Sequence, residues 1–239
     1  MVRREKGIIL ALDVEDINRA AEIAYDVKDY IEMVKISYPI IIRNGPEVIK
    51  RIKEASQLPL LACFKIADIP EISRRIMKET IHQGADGVTI HGFVGRKSIE
   101  ECVKLANEFG VETYVVTEMS HDDADYFLNR KLLTQISEKI AIVAKELGVT
   151  GIVAPATKPQ RVKRFRAIVG PNMIIISPGI GAQGGKVGDA VLAGADYEII
   201  GRNIYTASNP KKKARELYLT LQERLREIKK GSVGFGVIE

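Results

Sequence analysis

Leu60-Leu61-Ala62-Cys63-Phe64-Lys65-Ile66-Ala67-Asp68-Ile69-Pro70 holds two chain elements and the boundary between them. Leu60 to Phe64 is short and apolar along its whole length, which marks a strand buried on both faces, as in a parallel sheet covered by helices. Lys65 and Asp68 follow within apolar sequence, and Pro70 suits the first position of a helix. Working outward, the same order of apolar run, turn and amphipathic segment recurs. Strands are predicted at Ile8 to Leu12, Met33 to Ile36, Gly87 to Ile90, Thr113 to Val116, Gly151 to Val153, Met173 to Ile176 and Tyr197 to Ile200. Between them, sets such as Ala20, Ile23, Ala24 and Val27, or Ile49, Ile52 and Ala55, have the three-to-four spacing of a buried helix face. Eight such units over about 230 residues predict an α/β fold closed as a (β/α)8 TIM barrel. An open doubly wound sheet is the competing arrangement. No linker rich in Pro, Gly or Ser divides the chain, so a single domain is expected over 1–230, with 231–239 as a flexible C-terminal tail.

A chain of 239 residues with 46% hydrophobic content can bury a sizeable core. Cys63 and Cys102 lie far apart and form no CxxC pair, which argues against a disulfide framework or a zinc site and for a reducing cytoplasm. The apolar run ending at Asp13 is too short for a signal or membrane-spanning segment, so a soluble protein with no membrane partner is expected. His82, His91 and His121 are too scattered to suggest a metal cluster. The net charge of +5 and pI near 9.1 invite a nucleic-acid reading. Much of the excess, however, lies in Lys211, Lys212, Lys213, Arg215, Arg224, Arg226, Lys229 and Lys230, interleaved with glutamates as on a solvated helix face. No aromatic stacking platform accompanies it, so no nucleic-acid partner is expected.

In a barrel of this kind functional groups gather where strands run into the following loops. Asp13 ends the first strand and Lys35 the second; Lys65 and Asp68 follow the third, His91 the fourth, Glu118 and Ser120 the fifth, Gln183 the seventh and Arg202 the eighth. Singly, each has a structural reading: Asp13 as a helix cap, a lysine as a side chain reaching solvent. Enclosed charges such as Lys65 and Asp68 nevertheless need partners, because a buried unpaired ion costs several kcal/mol. The stretch from Ser177 through Pro178, Gly179 and Gln183 to Gly185 is glycine-rich, and Gly201-Arg202-Asn203 opens the segment after the eighth strand. Loops after strands seven and eight often hold phosphate, with backbone N–H groups approaching the anion and an arginine adding bidentate contacts. A phosphorylated ligand is therefore expected.

These segments carry a resemblance. Leu10-Ala11-Leu12-Asp13, Val34-Lys35, Phe64 to Pro70, His91-Gly92-Phe93, Thr117 to His121, Pro178 to Gly185 and Gly201 to Tyr205 occur in the order seen in orotidine 5'-phosphate decarboxylases of the archaeal type, from Ile8 to about Pro210. The resemblance implies decarboxylation of orotidine monophosphate to uridine monophosphate without cofactor or metal. It implies that Lys65 protonates C6, that Asp13 and Lys35 hold the ribose hydroxyls, that Ser120 meets the pyrimidine edge, and that Gln183 and Arg202 hold the phosphate. It further implies a homodimer in which Asp68 completes the neighbouring subunit's site.

The pattern breaks at Cys63, where the family's Asp-x-Lys-x-x-Asp motif has its first aspartate. Loss of that carboxylate removes an ion-pair partner for the lysines and a source of repulsion against the substrate carboxylate. The thiol reads either as an anionic substitute or as a neutral space-filler, and weakened turnover is expected. Ser37, Ile72, Ala156 and Asp122-Asp123 are further departures near the site. Two alternatives follow: a catalytically impaired pyrimidine-nucleotide binder, and, ranked lower, a magnesium-using sugar-phosphate decarboxylase of the same superfamily.

Overall fold

The computed structural model describes residues 7–121, 123–124, 126 and 130–233. Eight strands, β1 (Ile8–Ala11), β2 (Met33–Ile36), β3 (Leu60–Ile66), β4 (Gly87–His91), β5 (Glu112–Val116), β6 (Gly151–Val153), β7 (Ile174–Pro178) and β8 (Tyr197–Ile200), form a closed barrel in sequence order. Every neighbouring pair is parallel, including the closing pair β1 and β8. The helices are α1 (Ile17–Val27), α2 (Tyr38–Asn44), α3 (Val48–Ser56), α4 (Pro70–His82), α5 (Arg96–Phe109), α6 (Arg130–Glu146), α7 (Pro159–Val169), α8 (Asp189–Leu192), α9 (Arg202–Tyr205) and α10 (Pro210–Val233).

The largely apolar strands follow from a double burial. Ile9 and Ala11 on β1 meet Leu61, Tyr114, Val116, Val153, Ile176 and Ile199 inside the barrel. Their neighbours Ile8, Leu10 and Leu12 belong to the larger core between sheet and helices. With both faces of each strand covered, there is no solvent side on which polar residues would alternate.

The helix faces were legible from spacing, with one slip. On α1 the buried residues are Ala20, Ile23, Ala24 and Val27, as predicted. On α3 they are Val48, Ile49, Ile52 and Ser56, so Ser56 takes the inner position assigned to Ala55. Its hydroxyl is satisfied locally, donating to the Ile52 carbonyl at 2.9 Å, and a short polar side chain with such a partner is tolerated inside.

Two differences from the sequence reading bear on the site. Strand β3 continues to Ile66, and its pairing with β4 shifts register between Ala62 and Ile66. Lys65 sits in this bulge at φ +46°, a conformation uncommon for a residue with a Cβ and typical of functional sites. Helix α10 runs to Val233, three residues past the boundary placed at 230. Residues 234–239 of the predicted tail lie outside the described residues.

Candidate active site

The strand ends converge on one cavity of about 280 Å3 at the C-terminal mouth of the barrel. Asp13, Lys35, Cys63, Lys65, Ser120, Pro178, Gly179, Gln183, Gly201 and Arg202 all line it, together with Glu118 and Tyr205. Asp68 does not. It is exposed, faces a shallow depression beside Arg96 and Lys97, and its Oδ1 accepts the Ile69 N–H at 2.7 Å.

Strand register explains the convergence on the β1–β3 side. Ala11 pairs with Lys35, and Lys35 with Leu61, so the lysine projects across the barrel mouth between the ends of β1 and β3. It is 8% exposed, and its Nζ lies 3.5 Å from Asp13 Oδ1. The capping alternative for Asp13 falls away, because the N-cap of α1 is Asp16, whose Oδ1 accepts the Arg19 N–H at 2.7 Å. Asp13 is instead held by Ser37, whose Oγ donates to Oδ1 at 2.5 Å. Ser37 was noted only as a departure from the family pattern; here it anchors the carboxylate.

Lys65 is positioned by its backbone. Its N–H donates to Thr89 Oγ1 on β4 at 2.8 Å, which locks the bulge and aims the ammonium inward. The Nζ lies 3.6 Å from Cys63 Sγ, and neither cysteine is in a disulfide. His91 is not part of the lining. Burial lowers its pKa, and the nearby Lys65 charge lowers it further, both favouring the neutral imidazole. His91 Nδ1 accepts the Phe93 N–H at 3.3 Å.

On the opposite side the glycine-rich loop folds on itself, with Gly181 N–H on Gly185 O at 2.7 Å and Gly185 N–H on Gly179 O at 3.0 Å. Gly181, at φ +74°, would be strained by any side chain, and a Cβ there would lie 2.2 Å from Asn203 Nδ2, whose amide would have to move. This close approach joins the loop after β7 to the segment after β8, bringing Gln183 and Arg202 to one rim. Both side chains belong to exposed residues and need no internal partner.

A third group was only partly foreseen. Glu118, 3% exposed at the end of β5, accepts from Lys158 Nζ and Arg161 Nε, each at 2.9 Å. Arg161 also reaches Glu138 at 3.2 Å and Ser137 Oγ at 2.8 Å. Lys158 and Arg161 were missed because they lie around the start of α7 and become relevant only when that helix packs beside β5. Thr157 Oγ1 donates to the Ser120 carbonyl at 3.3 Å, so the turn after β5 is tied to the same loop. Tyr205 was quoted in a motif but given no task. Burial raises its pKa, and the charge of Asp13 adds to the effect.

Comparison with known proteins bears directly on this cavity. Residues 6–217 match the family model described as "Orotidine 5'-phosphate decarboxylase / HUMPS family". The chain belongs to this family. Among its relatives is the orotidine 5'-phosphate decarboxylase of Methanococcoides burtonii, 44% identical over 216 residues, covering 90% of this chain and 97% of that protein. The Thermococcus kodakarensis enzyme of the same name is 42% identical over 219 residues, 92% of this chain and 98% of that one. The crystal structure of orotidine 5'-monophosphate decarboxylase from Methanocaldococcus jannaschii complexed with inhibitor BMP superposes with a TM-score of 0.84 at 40% identity, covering 91% of this chain and 99% of that one.

Membership accounts for the order of the motifs around the rim. Of the departures from the family pattern, Ala156 is 1% exposed, in the core between sheet and helices, and Ile72 is half-buried on α4. Asp123 lies 3.3 Å from His121 Nε2, and Asp122 is outside the described residues. Among the described residues, no helix is long and apolar enough to cross a membrane.

Proposed function

We propose that this chain is an orotidine 5'-phosphate decarboxylase, converting orotidine monophosphate and a proton to uridine monophosphate and CO2 in the cytoplasm, with turnover weakened at Cys63. The observation that carries this reading is that Lys65 and Arg202, from the ends of β3 and β8, share one cavity at the barrel mouth. The C6–carboxylate bond breaks, its electron pair stays on C6, and the Lys65 ammonium delivers a proton there. A cation at the developing carbanion stabilises charge that exists mainly near the transition state, which is where binding energy raises the rate. Asp13 and Lys35 hold the ribose hydroxyls, Ser120 the pyrimidine edge, and Gln183 with Arg202 the phosphate. Pro178, Gly179 and Gly201 shape the backbone around that anion. No metal or cofactor takes part in this reading.

Titration calorimetry with uridine monophosphate, followed by loss of the orotate absorbance on adding orotidine monophosphate, tests the reading. Binding with slow turnover is expected. Failure to bind uridine monophosphate would refute it. Binding with no turnover would select the second reading, a catalytically impaired nucleotide binder, which is favoured by the thiol that stands 3.6 Å from Lys65 where the family motif has a carboxylate. The sugar-phosphate reading ranks lowest: among the described residues no three His, Cys, Asp or Glu side chains gather to hold a metal ion.

The dimer belongs to the same proposal. Ile42, Ile69 and Phe93 are 80%, 62% and 50% exposed, on elements that follow β2, β3 and β4, the sector of the rim where Asp68 lies. Exposed apolar side chains in one sector of the rim are what a protein contact surface would use. A homodimer through this face places Asp68 toward a neighbour's cavity. Mixing Asp68→Ala with Lys65→Ala chains is then expected to recover activity in the hybrid dimer, as each contributes what the other lacks. A monomer in sedimentation equilibrium, or no recovery on mixing, would rule this out.

A further inference from the structure

Glu198 is a buried acid for which the reaction described above has no use. It lies on β8 between Tyr197 and Ile199, is wholly inaccessible to solvent, and pairs in register with Ile8 on β1 and Ser177 on β7. Its neighbours Tyr197 and Ile199 pack with the interior cluster, so alternation turns Glu198 outward, away from the barrel interior. Its hydrogen-bond partners are backbone groups: both carboxyl oxygens accept the Gly188 N–H at 2.9 Å, and Oε1 accepts the Ala190 N–H at 3.1 Å. The charge of Asp189, of the same sign, also acts on it, and that carboxylate accepts from Arg224 at 2.8 Å. Burial raises the Glu198 pKa to about 7, against the lowering by the donated N–H groups.

A carboxyl group held this way costs several kcal/mol to bury and, among the described residues, gains no ion pair in return. What it secures is a position. The loop from Gly179 to Val187 leaves β7 at Pro178, which pairs with Ile199, and returns at Gly188, where Glu198 grips the backbone. Gly188 stands at φ +91° with a would-be Cβ 2.8 Å from Arg224 Cγ, so the returning end takes a conformation that only glycine adopts readily and passes close against Arg224. The same strand that grips this end runs directly into Gly201 and Arg202. One short segment of β8 thus sets both sides of the rim where Gln183 and Arg202 meet.

We propose that Glu198 is a positioning residue for phosphate recognition: by fixing the returning end of the glycine-rich loop against β8, it holds Gln183 and the loop backbone at the distance from Arg202 that a ligand's phosphate requires. This rests on the assignment of Gln183 and Arg202 to the phosphate. Uridine monophosphate has the group concerned and uridine lacks it, which separates a phosphate effect from a general loss of structure. In Glu198→Gln the side chain keeps its size but can offer only one acceptor oxygen, and its NH2 meets the backbone donors. Calorimetry on this variant is expected to show uridine monophosphate binding weakened about tenfold or more, while uridine binding, followed by NMR titration, is unchanged.

Gly188→Ala, which displaces the same anchor with Glu198 intact, is expected to give the same selective loss and provides the test if Glu198→Gln does not fold. Equal weakening of both ligands, or no change in either, would overturn the proposal. A wild-type protein that binds uridine monophosphate no more tightly than uridine would instead refute the phosphate assignment itself. The two failures are therefore distinguishable.

Discussion

Replacing Lys65 with alanine is expected to lower the decarboxylation rate by about a thousandfold or more, with a much smaller change in uridine monophosphate affinity. A positioned general acid contributes roughly 10²–10⁴-fold, and a preorganised charge facing a developing anion roughly 10²–10³-fold. Both are assigned here to one ammonium group. The product carries no charge at C6, so the lysine does little for product binding, and the loss should fall on kcat rather than on affinity. The backbone supports the assignment: Lys65 is held at φ +46° by the Thr89 hydroxyl, and strain of about 1–3 kcal/mol persists only where the surroundings over-determine it. The measurement is the initial rate of orotate absorbance loss in the wild type and in Lys65→Ala, repeated with a carboxylate at position 63 so that the starting rate is higher. Retention of more than a tenth of the rate in both backgrounds would remove Lys65 from the chemistry.

Cys63→Asp is expected to act in the opposite direction, raising kcat by roughly ten- to a thousandfold. The thiol occupies a position facing Lys65 at 3.6 Å, in the cavity that Lys35 also lines. A carboxylate there pairs with the lysines and crowds the carboxylate of the bound substrate, a ground-state destabilisation of about 1–5 kcal/mol that is relieved as CO2 departs. Because the repulsion acts before bond cleavage, substrate KM should rise together with kcat. Steady-state kinetics of the two proteins at several substrate concentrations decide the matter. An unchanged kcat would mean that position 63 does not limit the reaction, and the weakened turnover proposed for this chain would need another cause.

Much of the site could be read from strand ends because a closed parallel barrel places them all at one mouth. Lys35, Lys65 and Arg202 required only their position after an apolar run. Asp13 was ambiguous between cap and cavity, and the deciding fact lay three residues on, in Asp16, which caps α1 and leaves Asp13 to Ser37 and Lys35. The bulge at Lys65 had no local signal, since no glycine marks it; it arises from the pairing of β3 with β4. The Glu118 cluster was hidden for a similar reason. Lys158 and Arg161 are forty or more residues away along the chain, and nothing near Glu118 announces them.

The barrel and its rim were present in the linear pattern, because continuous apolar runs and period-3.6 burial are properties of neighbouring residues and survive without any knowledge of the fold. Which charges neutralise one another, which loop end is gripped by Glu198, and that Asp68 turns away from its own cavity were settled by packing. Those outcomes depend on distances between segments remote along the chain, and burial by distant neighbours leaves no mark on the local order of residues.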